Sequence, residues 1–147
     1  MTPATGMSTS FNAETPPATA DKTMRRIGYA LSALSALFLL MDSAMKLLAL
    51  PIVLETTAQL GYPGAPTLAV ALGSVLLVCT AFYIYPRTAV LGAVLLTGYL
   101  GGAVATHVRV ESPLLTHTLF GVYLGVFLWG GLFLRDGRLR ALFPWRR

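Results

Sequence analysis

The sequence predicts an all-α integral membrane protein, an up-down bundle of four transmembrane helices. Charged residues make up only 12% of the 147 residues, whereas a soluble domain carries about 25%. Four apolar segments of about 19 to 24 residues alternate with short turns that contain Pro or Gly, and each is long enough as a helix to cross a hydrocarbon core of about 30 Å. These segments are too long to be the strands of a membrane barrel, and they lack the alternation of polar and apolar residues that such strands show.

The four predicted helices span residues 27–50, 67–85, 88–109 and 114–134. The first follows Arg25 and Arg26 and is stopped by Pro51, because proline cannot continue a helix. The second closes on Tyr83 and Tyr85, and aromatic side chains at that position suit the depth of the lipid headgroups.

The flanking segments differ from the helices in composition. Residues 1–24 are rich in Thr, Ser, Ala and Pro, so we expect a disordered segment before the transmembrane domain of residues 25–147. The tail, residues 135–147, alternates arginines with apolar side chains, and we expect it to lie along the membrane interface. Its expected lipid-contacting residues are Leu139, Leu142, Phe143 and Trp145.

The distribution of Lys and Arg predicts the orientation. Nine of the eleven lie in the segment before the first helix, in the second connection or in the tail, and only Lys46 and Arg109 lie near the other ends of the helices. Since positively charged loops stay in the cytoplasm, both termini are predicted to be cytoplasmic. The same clustering at helix ends favours lipid headgroups over nucleic acid as the partner of the basic residues.

Ionisable residues at membrane depth are costly and mark candidate sites. The predicted topology places six of them in the outer half of the membrane: Asp42, Lys46, His107, Arg109, Glu111 and His117. We interpret them as one outward-facing polar pocket. The alternative is that they are ordinary polar residues of the membrane interface at helix ends and form no common site. His107 and His117 could bind a metal together with Asp42 or Glu111, but no spacing typical of metal ligands supports this, so no metal site is predicted.

Asp42 and Lys46 admit two interpretations. They stand four residues apart in the acid-first order that favours an ion pair on a helix, and such a pair would fix the packing of the first helix. Alternatively, Lys46 extends its ammonium group toward the interface and leaves Asp42 free to bind or protonate a molecule that enters from outside.

Two GxxxG spacings indicate faces on which helices can approach closely. They are formed by Gly98 and Gly102 in the third helix and by Gly121 and Gly125 in the fourth. The first interpretation is packing of these two helices within the chain, and the alternative is a contact in a homo-oligomer.

The single cysteine, Cys79, excludes an internal disulfide.

Three runs of the sequence resemble the DoxX-like family of small bacterial membrane proteins over about residues 25–147. They are MDSAMKLLALP with the later LGYP, IYPRTAVLGAVLLTGYLGGAVATHVR, and WGGLFLRDGRLRALFP. The resemblance implies a four-helix bundle in the bacterial cytoplasmic membrane. The family's recurring polar and small positions correspond to Lys46, Gly61, Tyr62, Pro63, Gly98, Gly102, His107 and Arg109.

The resemblance leaves the function open between two main hypotheses. In the first, the protein is an accessory that assembles with or stabilises another membrane or exported protein. The broader superfamily is also similar to the membrane subunit of a thiosulfate:quinone oxidoreductase, so the alternative is a quinone-linked oxidoreductase subunit. There Asp42 or His107 would relay a proton and Arg109 would attract an anionic donor.

A small-solute transporter is less favoured, because four helices show no internal repeat. The residues themselves assign no enzymatic activity.

Overall fold

The computed structural model of the protein describes residues 18–142. The described chain is helical, with no strand. Its helices are α1 (Ala18–Leu47), α2 (Pro51–Gln59), α3 (Pro66–Ile84), α4 (Ala89–Arg109), a π-helical turn (Leu114–Thr118), α5 (Phe120–Arg135) and α6 (Gly137–Leu142).

The long helices form an antiparallel ring in which each packs against two neighbours. Helix α1 contacts α3 and α5, and α4 contacts the same two helices from the opposite corner. Four segments of the described chain are long and apolar enough to cross a membrane: Asp21–Leu47, Pro66–Ile84, Ala89–Arg109 and Leu114–Arg135. The predicted fold class, an all-α bundle with four membrane-spanning helices, is confirmed.

The distribution of apolar side chains is that of a protein surrounded by lipid. The interior is mainly leucine and alanine, with Leu76, Ala93, Leu96 and Leu128 completely buried. Large apolar side chains also cover the outside of the helices, where Val75 and Val78 of α3 are each 53% exposed. Soluble proteins rarely expose continuous apolar surfaces of this extent, whereas a bilayer accommodates them without penalty.

Several buried hydroxyl groups in the bundle donate to carbonyl oxygens of their own helices. Ser35 donates to the carbonyl of Leu31 at 2.9 Å, and Thr80 donates to the carbonyl of Leu76 at 2.7 Å. Ser43 donates in the same way to its own helix. Because these bonds are local, the polar side chains of the interior are compatible with an apolar surrounding.

Proline and glycine define the connection between α1 and α3. Pro51 and Pro66 occupy the first positions of α2 and α3, where the missing amide hydrogen costs no helical bond. Gly61 has φ of +78° in the turn after α2, a conformation that glycine adopts without strain. Residues 51–66 were expected to form a loop between the first two spans, whereas residues 51–59 form the short helix α2.

Two further expectations, on the segment before the first span and on Tyr83, differ from the structure. Helix α1 begins at Ala18, so the part of the predicted disordered segment from residue 18 to 24 is helical; residues 1–17 lie outside the described chain. Tyr83, expected at the lipid headgroups, is 1% exposed inside the bundle, while Tyr85 is 53% exposed. The difference arises because the two tyrosines point to opposite sides of the end of α3.

The tail also differs from its prediction. Leu139 is buried within the protein instead of contacting lipid, and Arg140 forms an ion pair with Asp21 of α1 at 3.1 Å. Helix α6 therefore packs back onto the bundle. The side chains of Leu142, Phe143 and Trp145, the other residues of the predicted lipid contact, lie outside the description.

Candidate functional site

The six candidate residues lie toward one end of the bundle, where α1 and α4 end; we call it the Arg109 end, and the opposite one the Arg135 end. Asp42 and Lys46, near the end of α1, form a direct ion pair between the carboxylate and the ammonium group. Both side chains are partly buried, at 29% and 20% exposure respectively. Of the two interpretations of these residues, the structure shows the ion pair.

The histidines of the candidate set face each other at this end. The ring centroids of His107 and His117 are 6.0 Å apart, with the ring planes at 52°. His107 Nδ1 lies 3.1 Å from the hydroxyl of Ser112, and His117 Nδ1 lies 2.8 Å from the hydroxyl of Thr116. The π-helical turn carries His117 back toward the end of α4, so residues ten positions apart form one pair.

Arg109 belongs to a separate group that connects α4 to the turn after α2. Its guanidinium donates to the carbonyl of Leu60 and lies 5.5 Å from the centroid of the Tyr62 ring, which is a cation–π contact. The Tyr62 hydroxyl is 3.3 Å from that of Thr106. The guanidinium also lies above Gly61, where an added Cβ would be 3.2 Å from it. Three of the positions that the family resemblance implied, Gly61, Tyr62 and Arg109, therefore form one contact.

Glu111 stands apart from these groups. It is exposed in the turn after α4, with φ of +53° in the left-handed region. Within residues 18–142 its carboxylate forms no ion pair, and no hydrogen bond or ion pair joins the Asp42–Lys46 pair to the histidines or to Arg109. The structure brings the six residues to one end of the bundle as separate groups. Whether they act as one pocket stays a prediction.

The glycines that bring helices together within the chain are mostly not those of the GxxxG spacings. A Cβ at Gly131 of α5 would lie 2.6 Å from Ser32 Oγ of α1, and one at Gly28 would lie 2.9 Å from the carbonyl oxygen of Gly131. A Cβ at Gly73 of α3 would likewise meet α1, 2.8 Å from the Cβ of Lys46. These close approaches need glycine because any side chain would overlap backbone atoms of the neighbouring helix.

Of the four predicted packing glycines, Gly121 is the one that closely approaches another helix in the described part of the chain. Its added Cβ would lie 2.9 Å from Val104 of α4, whereas a Cβ added at Gly98, Gly102 or Gly125 would have no atom of another described helix within 4 Å. The prediction that Gly98, Gly102 and Gly125 pack within the chain is therefore wrong, because these glycines lie on helix sides that no neighbouring described helix approaches. The alternative that they contact another chain stays a prediction.

A polar group at the Arg135 end escaped the sequence analysis. The buried Tyr83 hydroxyl donates to the carbonyl of Leu128 at 2.9 Å and lies 3.0 Å from Ser32 Oγ. The Arg135 guanidinium is 5.2 Å from the centroid of the Tyr83 ring and 5.9 Å from that of Tyr29. The one available signal was helical spacing, which puts Ser32 on the same side of the first helix as the other small and polar residues of that helix. Nothing in the sequence distinguished Tyr83 from Tyr85.

The described residues contain no group of three or more His, Cys, Asp or Glu side chains that could hold a metal ion. No contact among them bears on quinone binding, so the quinone-linked alternative stays a prediction.

A ring of four membrane-length helices with an apolar exterior defines a multi-pass integral membrane protein. The DoxX-like family matches the chain over residues 30–131, and the chain belongs to that family. No curated protein and no solved structure matches it. The family resemblance noted in the sequence is confirmed, and the comparisons assign no activity or partner.

Proposed function

We propose that this protein is an accessory of another membrane protein and that it binds a transmembrane helix of that partner through an exposed face of α4. The observation that carries the proposal is a strip of small residues on this helix. We call the strip the open glycine face; it consists of Gly98, Gly101, Gly102 and Ala105, which are all exposed. Helical periodicity places the four on one side of α4.

The physical argument rests on what drives association in lipid. Lipid tails are as apolar as leucine, so helices associate through close packing and not through a hydrophobic effect. Small residues allow the backbones to approach, and within residues 18–142 a Cβ added at Gly98, Gly101 or Gly102 would have no atom of another helix within 4 Å. The space above the open glycine face is thus free to receive the ridge of a partner helix.

The test is photo- or thiol-crosslinking in native membranes. Ala105→Cys in a Cys79→Ala background places the only thiol on the open glycine face. We expect a crosslink to one distinct membrane protein, and we expect Gly98→Leu/Gly102→Leu to abolish it by filling the face. The matched control is Val75→Leu/Val78→Leu, which enlarges exposed residues of α3 and should leave the crosslink intact.

Two results would overturn the proposal. The first is an unchanged crosslink in the double leucine variant, which would place the partner elsewhere. The second is a crosslinked product that contains only two copies of this chain, which would show a homo-oligomer instead of an accessory complex.

We also propose that the protein lies in the bacterial cytoplasmic membrane with the Arg135 end in the cytoplasm. The support is the charge distribution, since exposed Arg25, Arg26, Arg87 and Arg138 lie at that end. The exposed positions Ala58 and Gly137 lie at opposite ends of the bundle. In a Cys79→Ala background, a membrane-impermeant maleimide added to intact spheroplasts should label Ala58→Cys and spare Gly137→Cys. The reverse pattern would invert the topology.

A further inference from the structure

We infer that His107 and His117 form a two-histidine binding site for a divalent transition-metal ion at the Arg109 end. The inference is independent of the proposed partner on α4. Imidazole nitrogen is a preferred ligand of Zn²⁺, Cu²⁺ and Ni²⁺, so this is the class of ion that the pair would take.

The spacing of the two rings fits a shared ion. A metal at 2.0–2.1 Å from an imidazole nitrogen lies about 3.2 Å from the ring centroid, so two rings that share one ion have centroids about 5 to 6.5 Å apart. The centroids of His107 and His117 are 6.0 Å apart. The spacing of the two rings therefore lies within the range that a shared ion requires.

The hydrogen bonds of the rings leave the right nitrogen atoms for the ion. In both histidines it is Nδ1 that lies at hydrogen-bond distance from a hydroxyl, that of Ser112 for His107 and that of Thr116 for His117. When Nδ1–H donates to the hydroxyl oxygen, Nε2 carries the lone pair that binds a metal. Metal-binding histidines are commonly oriented in this way by a partner on their second nitrogen.

The local fold holds the pair together. His107 lies in the last turn of α4, and His117 lies in the π-helical turn, a rare geometry that often occurs at functional sites. The buried Thr118 donates to the carbonyl of Ser112 at 3.2 Å, which ties the π-helical turn to the residue that orients His107. An exposed His117 and a partly exposed His107 leave the ion a path from solution.

Neighbouring charges do not compete for the site. Arg109 is engaged with Leu60 and Tyr62, and Lys46 is paired with Asp42. Two protein ligands make the site weak and exchangeable, and the remaining coordination positions would be taken by water. Such a site is suited to an ion that exchanges with solution.

The test is Zn²⁺ binding by the full chain in detergent, purified without a histidine tag and measured by competition with a chromophoric chelator. We expect one Zn²⁺ per chain and at least a tenfold weaker affinity in His107→Ala and in His117→Ala. Ser112→Ala should weaken binding by a smaller factor, because it removes only the orienting hydroxyl. Cys79→Ala serves as the control and should bind as the wild type does.

Spectroscopy gives a second readout that does not depend on affinity. Cu²⁺ bound to the wild type should show electron paramagnetic resonance couplings from two imidazole nitrogens, and His117→Gln, which keeps a polar side chain of similar size, should show one or none. Circular dichroism verifies that each variant is folded. Two results would overturn the inference. One is Zn²⁺ affinity in both histidine variants equal to that of the wild type, and the other is no Zn²⁺ binding to the folded wild type at millimolar concentration.

Discussion

Glycines occur both where α1 crosses α5 and on the outer face of α4, yet their surroundings are opposite. At the crossing, Gly28 and Gly131 lie against each other, and an added Cβ would come within 3 Å of the neighbouring helix. On α4, a Cβ added at Gly98 or Gly102 would have no atom of another described helix within 4 Å. The comparison teaches that a small-residue spacing identifies a face where helices can approach, whereas the neighbour of that face depends on how the helix is rotated in the bundle.

The largest expected effect comes from filling the α1–α5 crossing. Gly131→Leu would place a side chain where Ser32 Oγ and backbone atoms of α1 already lie, so we expect a loss of about 3 kcal/mol in unfolding free energy. Gly98→Leu on the open face should change that free energy by less than about 0.5 kcal/mol. Unfolding in mixed micelles, followed by circular dichroism, measures both. Equal losses would contradict the contrast between the two glycine faces.

The second effect concerns the ion pair on the interior side of α1. Asp42→Asn leaves the ammonium group of Lys46 without its partner; for a partly buried pair we expect a loss of about 1–2 kcal/mol, between the values for exposed and buried pairs. The double variant Asp42→Asn/Lys46→Met should recover part of this loss, because no unpaired charge remains. Additive losses in the double variant would show that the two side chains are not coupled.

The third effect isolates one buried hydroxyl. Tyr83→Phe removes the hydrogen bond to the carbonyl of Leu128 and the contact with Ser32, and we expect a cost of about 1 kcal/mol, as for other interhelical bonds in membranes. Tyr85→Phe, on the exposed side of the same helix end, should cost nothing measurable. A zero effect at Tyr83 would mean that water or another donor replaces the hydroxyl.

The smallest effect is local to the turn after α2. Arg109→Lys keeps the charge but loses the planar group above Tyr62 and Gly61, and the exposed cation–π contact accounts for about 0.5–1 kcal/mol. Hydrogen exchange followed by mass spectrometry should show about two- to fivefold faster exchange in residues 60–64. Arg87→Lys, exposed at the other end, is the control. Faster exchange across the whole bundle would indicate a global role for Arg109 instead.

Much of the architecture could be predicted because it follows from local composition. Long apolar segments separated by Pro and Gly identify the four spans, and the spacing of Asp42 and Lys46 on one helix gives their ion pair as one of two interpretations, which the structure then shows. Contacts between helices could not be predicted in the same way. The pairing of Arg109 with Tyr62 and the burial of Tyr83 depend on which helices are neighbours and how each is rotated.

The sequence by itself determined that this chain is a helical membrane protein of the DoxX-like family, because hydropathy, segment length and family motifs are properties of the chain. Only the tertiary structure decided which glycines are covered, which tyrosine is buried and how the six candidate residues divide into groups. The physical reason is that the inward-facing and lipid-facing sides of a membrane helix are both mainly apolar. Apolar periodicity therefore does not mark the inward face, and packing alone selects it.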